Sequence, residues 1–258
     1  MNNLLILQAR TGSSRLPNKV LKKICGKPML QHIIERVKKC RNVDKIIVAT
    51  TIKEEDNEIA ILCDSIETEC FRGSENDVLD RYYCAACIYE PINVIRVTAD
   101  CPLIDSKLID SMIETHNKGN FDYTSNTLVE TYPDGLDAEI FKFEVLKKAW
   151  MEATLASERE HVTPYIKFKG DFRRFSVERS PSLKEKRWTV DTAEDFNMVS
   201  KIYEGLYREG KYFGTDEILS FLSEHKNIET MNSGIIRNAG YQKSIENDYT
   251  VKGEEKNG

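Results

Sequence analysis

The chain has 258 residues, 42 acidic against 37 basic side chains, and a formal net charge of -5. That balance argues against a general nucleic-acid binder, and no apolar run approaches the roughly 20 residues of a membrane-spanning helix. Hydrophobic residues make up 40% of the chain, enough for one large domain or one domain plus an arm. No secretory leader is legible before the first strand, which predicts a cytoplasmic protein. The seven cysteines, an odd number scattered from residue 25 to residue 101, then read as reduced thiols.

Leu4–Leu7 is an apolar run that predicts a short buried strand. Gly12, Ser13, Ser14, Pro17 and Asn18 break regular structure after it. Cations stand at 10, 15, 19, 22, 23 and 27, and no acidic residue falls between Gln8 and Ile34. A strand, a basic loop bearing glycine and serine, and then a helix is an arrangement that holds phosphates: backbone N–H groups and cations meet the oxygens. Neither G-x-x-x-x-G-K-[ST] nor G-x-G-x-x-G is present, so this is not one of the common phosphate loops.

Pro28 opens a helix whose apolar residues 30, 33, 34 and 37 share one face. Lys45–Thr50 predicts a second buried strand, Glu54–Cys63 a helix, and Thr68–Phe71 a short strand. Arg72–Asn76 is a polar turn before a helix over Asp77–Tyr89. That helix carries Cys84-x-x-Cys87 in its middle; without a second pair this is no zinc ribbon, and small buried thiols are expected. Asn93–Thr98 is a third clear strand, and Ser106–Lys118 a helix with Ser106 as N-cap. Strands alternating with helices imply βαβ units and a mainly parallel sheet, with ligands at the carboxyl ends of the strands. The basic loop and Asp100 then lie on one edge.

Beyond residue 120 the pattern changes. A turn over Tyr132–Asp137 leads into a short strand through Phe141, followed by a helix over Phe143–Leu155. Ser157 and Glu160 are spaced as a capping box for a further helix. Residues 167–187 are irregular and basic. Arg187–Val190 predicts a strand leading to Asp191, and helices follow over Thr192–Leu206 and Asp216–Glu224. The last thirty-odd residues are polar and weakly patterned.

Asp100, at a strand end, suits a divalent cation held against phosphate oxygens. Asp191 could equally hold a metal or cap its helix, with Glu194 or Asp195 completing a box. His161 has no H-E-x-x-H partner and reads as a helix-surface histidine. The basic run 167–187 is mostly solvated or at a subunit contact, or else meets an anionic acceptor.

Gln8–Lys19, Gly26–Met29, Arg72–Ser74, Asp77–Tyr82, Thr98–Leu103, Tyr132–Asp137, Ser157–Tyr165 and Trp188–Thr192 together resemble the cytidylyltransferases of the spore-coat polysaccharide type. These are relatives of acylneuraminate and ketodeoxyoctonate cytidylyltransferases. The likeness runs from residue 3 to about residue 200. It implies an α/β, Rossmann-like nucleotidyltransferase fold of GT-A type, with a mostly parallel sheet flanked by helices. It implies CTP and Mg²⁺, with Arg15, Lys19 and Asp100 catalytic and Asp100 and Asp191 as metal carboxylates. Gln8, Ala9, Arg10, Thr11, Gly12, Ser13 and Lys27 would meet the nucleotide, and Arg72, Gly73 and Ser74 would lie where the base is read. Residues of about 125–185 would bind the acceptor and form a homodimer, with Tyr132, Asp134, Asp137, Glu139, Arg159 and His161 as acceptor candidates. The catalytic domain would span residues 1–226 and a polar tail residues 227–258. Ala193 departs from the proline common at that place.

The expected reaction is transfer of CMP from CTP to an acidic or phosphorylated acceptor for surface polysaccharide, with pyrophosphate released. Nucleic acid and membrane are not expected partners. At least one of Arg159, Arg173, Arg174 and Arg179 is expected to contact the acceptor's anion. A glycosyltransferase on a similar fold and a non-catalytic nucleotide-binding subunit remain alternatives.

Overall fold

A computed structural model describes residues 1–235, 237 and 239–251. Its centre is a seven-stranded sheet in the order β5-β4-β1-β6-β8-β7-β9. The strands are β1 (Asn3–Gln8), β4 (Lys45–Thr51), β5 (Glu69–Gly73), β6 (Asn93–Thr98), β7 (Tyr123–Ser125), β8 (Glu139–Lys142) and β9 (Arg174–Ser176). The numbers β2 (Lys23–Ile24) and β3 (Lys27–Pro28) belong to a separate two-stranded ribbon. Every pairing in the large sheet is parallel except those of β8 with β6 and β7.

β1 lies inside the sheet, between β4 and β6, and its run Leu4–Leu7 has no polar face. Leu5 and Leu7 enter one core, with α1 (Met29–Val37), α2 (Asn57–Ser65), α4 (Ser106–Gly119), α8 (Ala193–Leu206) and α9 (Thr215–Glu224). Leu4 and Ile6 enter the other, with α3 (Val78–Cys87), α5 (Phe143–Glu152) and α7 (Pro164–Phe168). Continuous apolar strands of this kind are what a sheet covered on both faces requires. The carboxyl ends of β1, β4, β5 and β6 share one edge. Because β8 is antiparallel, its first residue, Glu139, also starts there.

Several local expectations change. Asp105, not Ser106, caps α4: its carboxylate accepts from the Lys107 N–H at 2.9 Å. The same carboxylate takes the Tyr212 hydroxyl and both donors of Thr215, which draws α9 onto α4. Helix α6 (Ala156–His161) is capped by Glu158, which accepts from the N–H groups of Thr154 and Leu155, both at 3.1 Å. Ser157 and Glu160 instead meet Asp248 and Ser244. Cys84 is half-buried and Cys87 is exposed at the end of α3, so this pair is not a buried one. Residues 187–190 run extended, but outside the sheet. They cross its edge, with the N–H groups of Trp188 and Val190 donating to the carbonyls of Asp134 and Asp100. The basic run contains β9, and residues after 226 form α10 (Lys226–Glu229) and α11 (Ala239–Glu246). Of the expected tail, residues 236, 238 and 252–258 lie outside the described residues. No described helix is long and apolar enough to cross a membrane.

Candidate active site

Two cavities open along the carboxyl edge. The larger, about 1160 Å³, is walled by Gln8, Ala9, Arg10, Gly12, Ser13, Ser14, Arg15 and Lys19 from the loop after β1. Glu75 and Asn76 face them from the turn before α3, Lys243 and Ser244 from α11, and Asn247 from just beyond it. The smaller, about 430 Å³, is walled by Asp134, Asp137, Glu139, Lys167, Arg187, Arg237 and Tyr241. Arg15, Arg96, Thr98, Asp100, His161 and Asp191 belong to both walls.

Asp100 and Asp191 meet at this common wall. Asp100 follows β6, and its Oδ1 accepts the Thr98 hydroxyl at 2.5 Å. Asp191 stands just before the N-cap of α8; Thr192 is the cap, and Asp195 closes the box. The Lys19 ammonium donates to Asp191 at 2.9 Å and to the Val190 carbonyl at 2.7 Å, and lies 3.8 Å from Asp100. Arg15 lies 3.1 Å from Asp191. Burial raises the Asp191 carboxyl, but Lys19, Arg15 and Arg187 together outweigh it and hold the group below the ordinary value.

Among the described residues no cluster of three or more His, Cys, Asp and Glu could hold a metal. Two carboxylates on the common wall, beside the basic loop after β1, are nonetheless a donor set that suits Mg²⁺. That ion takes one or two carboxylates together with substrate phosphates rather than an all-protein cage.

The smaller cavity is built on ion pairs. Gly135, at φ 105°, lets the turn over 132–137 lie against the 187–190 segment; a Cβ there would stand 2.3 Å from the Thr189 nitrogen. Arg187 then bridges Asp134 at 2.7 Å, Asp191 at 3.2 Å and the fully buried Asp195 at 2.9 Å. Arg237 reaches in to Asp137 at 3.3 Å and Glu130 at 3.3 Å. Burial pushes the Asp134 carboxyl up to about 6 and the Asp137 carboxyl up to about 7, against the pull of these arginines. Glu139 behaves oppositely. It accepts from Arg96, Lys167, the Tyr123 hydroxyl and the Thr163 hydroxyl, and Lys167 and Arg96 outweigh burial to hold it far below the usual carboxylate range. Arg96 and Glu139 are register partners on β6 and β8, so their side chains share one face. His161 packs edge-on against Tyr241 at 4.9 Å, and burial lowers its imidazole.

The structure therefore gathers Gln8, Ala9, Arg10, Gly12, Ser13, Arg15, Lys19, Asp100, Asp134, Asp137, Glu139, His161 and Asp191 on connected walls. It places the other candidates off them. Lys27 pairs with Glu35 at 2.8 Å. Thr11 is buried beneath the loop. Arg72 donates to the carbonyls of Thr51 and Lys53 and to Asn57, with Gly73 and Ser74 beside it. Tyr132 packs against the core. Arg159 ties Asp77 to the Trp150 carbonyl. Arg173 and Arg174 donate to backbone carbonyls, and Arg179 lies off the walls as well. The cations that do line the smaller cavity are Arg15, Arg96, Lys167, Arg187 and Arg237. Arg96 sits inside a strand and Arg237 in a polar stretch, where composition gives no signal.

A sequence profile of the cytidylyltransferase family matches residues 4–238. An uncharacterized protein of Methanocaldococcus jannaschii is 43% identical over 235 residues, 89% of this chain and 94% of that one. The spore coat polysaccharide biosynthesis protein SpsF of Bacillus subtilis is 32% identical over 79% of this chain and 88% of its own length. A solved cytidylyltransferase from Leptospira borgpetersenii superposes with a TM-score of 0.85 at 30% identity, covering 92% of this chain and all of that one. These matches set aside the glycosyltransferase and non-catalytic readings. The chain belongs to the cytidylyltransferase family, and it is a CTP-dependent nucleotidyltransferase.

Proposed function

We propose that this enzyme transfers CMP from CTP to an acidic or phosphorylated acceptor, activating a precursor of a surface polysaccharide. The observation that carries the reading is the common wall: two cavities meet where Arg15, Asp100 and Asp191 stand. A nucleotide in the larger cavity and an acceptor in the smaller would bring the reacting atoms together at that wall. The polysaccharide context is supported by the name of the Bacillus subtilis relative.

An acceptor oxygen attacks the α-phosphorus of CTP in line; the new P–O bond forms as the bond to the β-phosphate breaks, and pyrophosphate leaves. The protein contributes positioning and charge neutralisation. Gln8, Ala9, Arg10, Gly12 and Ser13 hold the triphosphate, and Arg15 and Lys19 neutralise the departing pyrophosphate. Asp100 and Asp191 would hold Mg²⁺, which supplies Lewis-acid stabilisation of the phosphate charge. Asp134, Asp137 and His161 face the acceptor, while Glu139 orients Arg96 and Lys167 toward it. A phosphate or carboxylate oxygen brings no proton to remove. A hydroxyl does, and Asp137, lifted to about 7, can accept it near neutral pH. We place the homodimer contact in the 125–185 region, supported by exposed Phe175 on edge strand β9, which stacks on Phe121 at 4.6 Å.

The test is a screen for pyrophosphate release with CTP, ATP, GTP and UTP against sugar acids, sugar phosphates and neutral sugars. Release with CTP and one acidic acceptor class supports the reading. Equal use of all four nucleotides, or release only with neutral acceptors, overturns it.

A further inference from the structure

We propose that Asp56 is the positioning residue that presets the phosphate-binding loop for CTP. The inference rests on the reading that the loop after β1 holds the triphosphate.

Asp56 lies in a single 3-10 turn, Glu54–Asp56, after β4, and is 1% exposed. Its Oδ1 accepts from both the backbone N–H and the hydroxyl of Thr11, at 2.8 and 2.7 Å. Its Oδ2 accepts the Thr51 hydroxyl at 2.5 Å. These partners are neutral donors, and they hold the buried carboxyl below its ordinary value although burial raises it. Thr11 is the point where the loop closes on itself: its carbonyl accepts from the N–H groups of Ser13 at 2.7 Å and Asn18 at 3.1 Å. Arg10, Ser13, Ser14 and Arg15, which line the larger cavity, all lie within four residues of this anchor.

The segment carrying Asp56 is tied at its other side as well. Arg72 donates to the Thr51 carbonyl at 2.9 Å, the Lys53 carbonyl at 2.7 Å and Asn57 Oδ1 at 2.6 Å. Residues 51–57 thus form a strut between the phosphate loop and the turn that bears Glu75 and Asn76 on the opposite wall. A loop held this way binds its ligand without first losing conformational freedom, which raises affinity. A carboxylate that merely stabilised the fold would affect melting but not CTP affinity per folded molecule.

The experiment measures CTP affinity of the full chain by isothermal titration with Mg²⁺ present, alongside calorimetric melting. Asp56→Asn and Thr11→Val should each weaken CTP by about tenfold, equivalent to about 1.4 kcal/mol. Thr11→Ser, which keeps the hydroxyl, should stay within about twofold, and the double variant should be no worse than its poorer parent because both changes remove one interaction. Hydrogen exchange of residues 9–18 should quicken in the two damaging variants. If Asp56→Asn does not fold, the Thr11→Val and Thr11→Ser pair decides. A lowered melting temperature with unchanged CTP affinity in Asp56→Asn and Thr11→Val overturns the inference. Arg15→Ala separates the two levels. If it weakens CTP while Asp56→Asn does not, the inference about Asp56 alone falls; if neither weakens CTP, the reading of the loop falls with it.

Discussion

Replacing Glu139 by glutamine tests whether the smaller cavity is an electrostatic assembly. The carboxylate is 3% exposed and satisfies two cations and two hydroxyls at once. Glutamine keeps the volume, so no cavity opens, but its amide nitrogen must face a donor, and Arg96 and Lys167 lose their counter-charge. Breaking a buried pair by removing one partner costs about 3–5 kcal/mol. For a chain of this size each kcal/mol shifts Tm by about 2–4 °C, so the expected fall is about 6–20 °C. The pH dependence follows from the depressed carboxyl. A folded-state value below the unfolded one, about 4.3 for glutamate, contributes stability that is present above that value and lost as the pH falls. The gap between wild type and Glu139→Gln should therefore hold from pH 8 to about pH 5 and narrow below about pH 4. Differential scanning calorimetry across that range is the assay. A Tm change under about 2 °C at pH 7 refutes the buried-pair argument, and a gap that does not narrow in acid refutes its ionic origin. Unchanged melting with a loss confined to acceptor kinetics would make Glu139 a direct acceptor contact instead.

Arg237→Ala should raise the acceptor KM by about 10- to 100-fold, the equivalent of one or two hydrogen bonds to a charged group, while titrated CTP affinity stays the same; unchanged acceptor kinetics would remove Arg237 from the site. Asp100→Asn should lower kcat by about a hundredfold or more with little change in Tm. EDTA should stop pyrophosphate release and added Mg²⁺ restore it; full activity in the chelator would refute the two-carboxylate metal site. Asp137→Asn should raise Tm more at pH 8 than at pH 5.5. With the folded-state carboxyl raised above its unfolded value of about 3.9, the penalty on folding begins as the pH passes that lower value, grows until about pH 7 and is constant above it. Scanning fluorimetry at the two pH values would show an equal effect at both if burial of the charge were not the cause.

The strands and the basic loop after β1 were legible because their causes are local. Leu4–Leu7 is apolar on both faces, so its burial between two layers could be read without knowing its neighbours. The loop's glycine, serines and cations stand within a dozen residues of each other. The caps were less legible, because each candidate had rivals one or two residues away. Asp105 displaced Ser106 by gaining Tyr212 and Thr215, more than a hundred residues on. Glu158 displaced Ser157 after Asp248 had taken the serine hydroxyl. The 187–190 segment read as a strand because its residues have that pattern, yet its hydrogen bonds go to loop carbonyls and it joins no sheet.

Cations show the same limit more sharply. In sequence, Arg159, Arg173, Arg174 and Arg179 looked like surplus charge awaiting an anion. In the fold, Arg159 is spent on Asp77, 82 residues away, and Arg173 and Arg174 on nearby carbonyls. Arg187 and Arg237 do face the cavity, and both are already paired with carboxylates. These pairings fix where the charges stand. A guanidinium held by two or three carboxylates cannot swing to meet each new arrangement of the substrate, so its field is set before the substrate arrives. Lys19 is the clearest case, since its ammonium is held at once by Asp191, the Val190 carbonyl and the approach of Asp100. If the proposed reaction takes place here, charge developing on a departing phosphate would be met without reorganisation, which is where fixed dipoles and charges outperform water. The acidic surplus in this site is thus the scaffold that aims its cations, and neither sign can be interpreted alone.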